Sequence, residues 1–116
     1  MIHGVGVDVV HLPRFEKFAR DHAGRLGDLF RPEELAAHRS RRALASAWAL
    51  KEAVLKSIGG LDGWGVDWRE IRVGAKGIRL AGQVAKHAKK LRVGGFETST
   101  SAVGDAIFAT VIAIRG

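Results

Sequence analysis

Arg41-Arg42-Ala43-Leu44-Ala45-Ser46-Ala47-Trp48-Ala49-Leu50-Lys51-Glu52-Ala53-Val54-Leu55-Lys56-Ser57-Ile58 is the stretch whose reading decides the fold. Its alanines and leucines favour a helix, and Gly59-Gly60 stops that helix cleanly. Leu44, Ala47, Trp48, Val54, Leu55 and Ile58 make it apolar nearly all round. A helix of that kind is buried at the centre of a small domain. Against this background Glu52 stands out. At helical spacing it shares a face with Trp48 and Lys56. An exposed i,i+4 ion pair between Glu52 and Lys56, worth about 0.3–0.5 kcal/mol, is the simplest account of the two charges.

Working outward, Ile2 to Val10 reads as a strand, with Val5, Val7 and Val9 on one face and Ile2, Gly4, Gly6 and Asp8 on the other. Leu12, Phe15, Phe18 and Ala19 form one stripe of a helix over Leu12–His22, with Pro13 in its first turn. Another helix starts near Arg31-Pro32-Glu33-Glu34, proline first and carboxylates at the positive end. Beyond a loop containing Gly, Asp and Trp, Glu70–Val73 and Ile78–Leu80 read as a hairpin turning at Gly74–Gly77. Ala81–Leu91 reads as a basic helix, and Gly94-Gly95 leads into a strand over Phe96–Thr100. After a turn at Val103-Gly104-Asp105, the strand Ala106–Ile114 is apolar enough to be expected fully buried. The whole is a single α+β domain over residues 1–116, a mostly antiparallel sheet packed around the long central helix.

Composition narrows the function. With 47% hydrophobic and 27% charged residues the chain is globular rather than disordered. The absence of cysteine removes disulfides, thiolate metal sites and thiol nucleophiles. No run approaches the length of a membrane span, and no charged region precedes an apolar one at the N-terminus, so the cytoplasm is the expected location and no membrane the expected partner. The net charge of +7 is uneven: residues 37–60 carry +4 and residues 69–92 carry +7, the remainder being slightly negative. Such an excess favours an anionic partner. The cluster Lys86, Lys89, Lys90 and Arg92 lacks neighbouring aromatics on which bases would stack, which argues against nucleic acid.

Asp8 is the second acid in an apolar setting. The missing side chains of Gly4 and Gly6 on its face would let a ligand or another backbone come close. The plainer reading of Asp8 is a cap on the turn into the helix of Pro13. Taken together, a carboxylate on the first strand and one on the central helix suit Mg²⁺, which takes one or two carboxylates and completes its shell with water and phosphate oxygens. Neighbouring lysines would suit those phosphates.

These residues resemble a known family. Gly4-Val5-Gly6-Val7-Asp8-Val9-Val10 followed by Arg14, the phrase Leu29-Phe30-Arg31-Pro32-Glu33-Glu34-Leu35, and Trp48-x-x-Lys51-Glu52-Ala53-x-x-Lys56 with Gly59 are similar to the motifs of holo-acyl-carrier-protein synthases, small 4'-phosphopantetheinyl transferases. The resemblance implies transfer of 4'-phosphopantetheine from coenzyme A to a serine of an apo-acyl carrier protein of fatty-acid or polyketide synthesis, releasing adenosine 3',5'-bisphosphate. It implies that Asp8 and Glu52 hold Mg²⁺, that Lys56 and less centrally Lys51 bind phosphates, and that Gly59-Gly60 lies beside the adenosine. It further implies a carrier-protein surface of Arg14, Lys17, Phe18 and Arg25, and a homotrimer with sites between subunits. Three places depart from the family pattern. Ala47 stands for an arginine, Gly74-Ala75-Lys76 for Gly-basic-Pro, and Ala102 for the histidine that ends the late strand. A relative that binds carrier protein, or acts on carrier-tethered substrates, without transferring the group therefore stays open beside the transferase. The five histidines (His3, His11, His22, His38, His87) occupy no signature position and read as surface or packing residues.

Overall fold

The computed structural model describes residues 1–61 and 65–116. Strand β1 (Ile2–His11) runs directly into α1 (Leu12–Asp21). A 3-10 turn (Ala23–Arg25) and two short helices, α2 (Leu26–Leu29) and α3 (Pro32–Ala37), lead to the long α4 (Arg41–Ser57). Then come a second 3-10 turn (Trp68–Glu70), the hairpin strands β2 (Ile71–Gly74) and β3 (Gly77–Leu80), α5 (Gly82–Lys90), and the long strands β4 (Val93–Val103) and β5 (Ala106–Arg115). Part of the loop expected after the central helix, residues 62–64, lies outside the described residues.

The central helix forms where its composition places it. Ser40 Oγ accepts from the Ala43 N–H at 3.0 Å, satisfying one free donor of the first turn. At the other end Gly59 and Gly60 take φ of +78° and +77°, and the Gly60 N–H returns to the Leu55 carbonyl at 2.9 Å. Such a left-handed stop favours glycine, because a Cβ there crowds the backbone.

Among the described residues β1, β5 and β4 form one antiparallel sheet in that order, with β5 central, and β2–β3 form a separate two-stranded ribbon. The glycines of β1 decide how the helix meets the sheet. A Cβ on Gly4 would lie 2.4 Å from the Ser57 carbonyl oxygen, and one on Gly6 would lie 1.8 Å from that of Ala53. The bare face of β1 is therefore filled by the backbone of α4, which settles the choice between ligand and backbone. The helix docks closely enough to bring its side chains level with Asp8.

Two expectations need correction. The strand Ala106–Ile114 is not buried on both faces: Ile107, Ala109, Val111 and Ala113 are buried, whereas Phe108, Thr110, Ile112 and Ile114 are only partly covered. Helices cover one face of the sheet, so a central strand keeps the alternation of a half-buried one. Val5, Val7 and Val9, opposite Ile112, Thr110 and Phe108, lie on the open face and are 54%, 51% and 53% exposed. Gly94 and Gly95 do not precede the strand; they lie inside β4, beside an irregularity of register between Val93 and Gly95. The short turns between residues 23 and 29 have no periodic signal long enough to announce them.

Candidate active site

Asp8 sits near the end of β1 on the helix-facing side and is 8% exposed. Its Oδ1 accepts from Lys56 Nζ at 2.7 Å, and the same ammonium reaches the Val7 carbonyl at 3.3 Å. The hydrogen bond to Asp8 holds the Lys56 ammonium above its ordinary pKa, so it stays charged through neutral pH. Lys56 thus pairs with Asp8, and the simple i,i+4 bond to Glu52 is not formed. Nor does Asp8 cap α1, whose N-cap is His11 and lacks a side-chain bond.

Glu52 lies one turn before Lys56 on α4, close enough to feel the charges of both Asp8 and Lys56. Burial, then the charge of the neighbouring Asp8 carboxylate, lift the Glu52 carboxyl from 4.5 to about 7; the Lys56 charge pulls the other way. Two carboxylates at close quarters resist losing both protons. The remaining oxygen of Asp8, Oδ2, is buried and has no hydrogen-bond partner. An orphaned carboxylate oxygen beside a second carboxyl fits a hard divalent cation, which would supply the missing interaction and draw off the Glu52 proton. Only two carboxylates are offered; among the described residues no group of three or more acidic or histidine ligands occurs. That suits Mg²⁺, which keeps most of its shell for water and phosphate oxygens.

Glu52 forms part of the wall of an open cavity of about 600 Å³ between α1 and α4, together with Arg14, Phe18, Arg25, Trp48 and Trp68. Three of the four residues expected to meet a carrier protein thus line one cavity with Glu52. Lys17 does not: it is exposed and paired with Asp21, four residues along the same helix. His11 also lines this cavity, although its position in the sequence carries no signal. Trp68 does too; its indole stands edge-on to Trp48 at 4.7 Å, and only the tryptophan content of that loop hinted at it.

Lys51 is a correction. It is next to Glu52 in sequence but about 100° round the helix, fully buried, with Nζ 2.9 Å from Glu34 Oε1 and 2.9 Å from the Trp68 carbonyl. Burial lowers its pKa and the Glu34 carboxylate opposes that fall. It offers nothing to a phosphate at the Asp8 cluster. Glu34, expected as a helix-dipole carboxylate, turns inward to meet it. Two departures from the family pattern also acquire positions. Ala47 is 1% exposed, so an arginine there would bury its charge, whereas Ala102 is exposed near the end of the edge strand β4. Gly59 and Gly60 directly follow the Lys56 turn. His38 and His87 bond to the carbonyls of Val73 and Ile58, the packing roles expected of them.

The fold and site define a small α+β protein with two carboxylates and a lysine gathered near an apolar, arginine-rimmed cavity. Residues 4–102 match the 4'-phosphopantetheinyl transferase superfamily, and the chain belongs to it. The holo-[acyl-carrier-protein] synthase of Clavibacter michiganensis is 39% identical, with 76% of this chain and 75% of that protein covered. That of Frankia alni is 35% identical over 95% of each. In three dimensions the holo-[acyl-carrier-protein] synthase of Neisseria meningitidis superposes with a TM-score of 0.82 at 28% identity, covering 99% of this chain and 100% of that one. A coenzyme A complex of the Chronobacterium ammoniagenes synthase gives 0.77 at 26% identity, with 97% of each covered.

Proposed function

We propose that the chain transfers 4'-phosphopantetheine from coenzyme A to a serine of an apo-acyl carrier protein, with Asp8, Glu52 and Lys56 as its reaction centre. The observation that carries this reading is the buried Asp8 Oδ2 left without a partner, with the Lys56 ammonium on the other Asp8 oxygen and the Glu52 carboxyl close enough to feel the Asp8 charge. Asp8 and Glu52 would hold Mg²⁺, which supplies charge neutralisation on the diphosphate when bound. Lys56 is exposed enough to turn from Asp8 to a phosphate oxygen and offset the charge that builds in the transition state. Glu52 gives up its proton near neutrality, so the site gains negative charge as it takes up a cation. Arg14, Arg25 and Phe18 offer an acidic carrier protein cationic and apolar contacts at the rim, orienting its serine toward the diphosphate. The serine oxygen then bonds to the pantetheine-side phosphorus as its bond to the adenosine-side phosphate breaks; the hydroxyl proton passes to solvent and adenosine 3',5'-bisphosphate leaves. The Gly59-Gly60 turn, lacking side chains where Lys56 ends its helix, leaves room for the adenosine.

The oligomer belongs to the same reading. Val5, Val7 and Val9 with Phe108 and Ile112 make an apolar sheet face that this chain leaves open, as expected of a homotrimer; sedimentation equilibrium at about three times the chain mass is the expected result. The cytoplasm remains the expected location; no helix among the described residues is long and apolar enough to cross a membrane.

Mass spectrometry of apo-carrier proteins incubated with the enzyme, Mg²⁺ and coenzyme A tests the activity. A phosphopantetheine mass gain is expected. No gain with several carriers, including any encoded beside it, sinks the reading. Carrier binding without mass gain would favour a non-transferring relative, a reading supported by Ala102 at the place of the family histidine.

A further inference from the structure

Glu34 and Lys51 take no part in the reaction centre, yet they form the most enclosed ion pair among the described residues, with side chains 3% and 0% exposed. The pair is fully satisfied. Glu34 Oε1 accepts from Lys51 Nζ and from the Arg31 N–H, each at 2.9 Å, and Oε2 accepts from the Val73 N–H at 2.9 Å. Lys51 Nζ also donates to the Trp68 carbonyl at 2.9 Å and lies 5.1 Å from the centre of the Phe30 ring. Glu34 thereby ties α3 and β2 to the ammonium, and the ammonium ties both to the 3-10 turn of Trp68. Well-packed apolar residues commonly serve stability as well as such a pair, or better. Stability alone therefore does not account for two charges in the core.

What the pair holds is one wall of the reaction centre. The Trp68 peptide is fixed through its carbonyl, the Trp68 indole stands edge-on at 4.7 Å to that of Trp48, and Trp48 lies one helical turn before Glu52 on the same face of α4. Both indoles line the cavity with Glu52. The links from Glu34 through Lys51 and Trp68 to Trp48 are direct contacts, and helical spacing sets Trp48 beside Glu52. We propose that Glu34 and Lys51 are positioning residues for Glu52, setting the two-indole wall that lines the cavity beside it. The motif lysine nearest the reacting acid in sequence thus acts on it from behind the wall, without touching phosphate.

The proposal rests on the transfer reading for its kinetic measurement alone. The test is the double variant Glu34→Gln/Lys51→Met, which removes both charges together and leaves no unpaired ion. The Trp48 Nε1–H resonance of the ¹⁵N-labelled protein, assigned with Trp48→Phe, is compared between wild type and double variant without added ligand. Circular dichroism reports the fold, and steady-state transfer gives kcat and the KM for coenzyme A. The expected result is a folded protein whose Trp48 resonance is displaced, with kcat reduced about tenfold and KM within about twofold, the pattern of a misplaced reacting group. A Trp48 resonance at its wild-type position overturns the proposal whatever the rate. So does a wild-type kcat, or a loss carried by KM. A double variant that fails to fold overturns it too, because the pair would then be a stability element. Should wild type itself not transfer, the resonance decides positioning alone, and the two failures stay distinguishable.

Discussion

Two carboxylate–lysine pairs hang from the same helix, five residues apart at their lysines, and they differ in what surrounds them. Lys51 and Glu34 meet at 2.9 Å with both side chains enclosed and every oxygen of Glu34 occupied. Lys56 and Asp8 meet at 2.7 Å with the lysine 55% exposed and one Asp8 oxygen left without a partner. The contact is chemically the same. The first pair has nothing left to offer a ligand, whereas the second has a vacant acceptor, a movable cation and a neighbouring acid held near neutrality. Satisfaction of polar groups, more than distance, separates a structural ion pair from a reactive one.

Breaking each pair on one side should expose that difference most sharply. Lys51→Met is expected to destabilise the fold by about 3–5 kcal/mol, because it strands a buried Glu34 charge; urea unfolding measures this. Glu52→Gln and Asp8→Asn should do the reverse, each cutting transfer by orders of magnitude while the unfolding midpoint changes little. Steady-state transfer rates with a carrier substrate check this, and an unchanged rate in either variant would remove that residue from the metal site. Lys56→Ala should lower kcat by about tenfold to a hundredfold, the loss of one charge-assisted bond of about 1.5–3 kcal/mol, with a smaller stability loss than Lys51→Met because the lysine is half exposed and water can take its place beside Asp8.

The smallest effect lies in pH. Glu52 has its pKa raised from 4.5 to about 7 on folding, so the folded chain holds that proton more tightly than the unfolded one. The stability this brings is complete below about pH 4.5 and is lost as pH rises through about 7. Glu52→Gln, which cannot ionise, should therefore gain on wild type in thermal midpoint across that window. Mg²⁺, competing with the proton, should raise the wild-type midpoint more at about pH 8 than at about pH 5.5. Equal increments at both would place the cation elsewhere.

The particular residues explain how far the sequence could be read. Trp48, Glu52 and Lys56 were legible as one face because helical spacing is local, and Asp8 was legible because an acid in a valine strand needs a reason. Lys51 was not: a charged residue one step from a catalytic candidate carries no local sign of pointing into the core. Its partner Glu34 lies 17 residues away on another helix. The places of Trp68 and His11 were not legible for the same reason, since each owes its place to contacts between elements distant in sequence.

By itself, then, the sequence determined the central helix, its glycine stop, the first strand and the presence of two acids in apolar settings, all consequences of composition and period. Only the tertiary structure decided that the glycines of β1 admit a helix backbone, that Lys56 answers Asp8 rather than Glu52, and that Lys51 faces away from the phosphates. The physical reason is common to all three. Period fixes which side chains share a face, but which face is buried, and against what, is set by how closely two backbones approach.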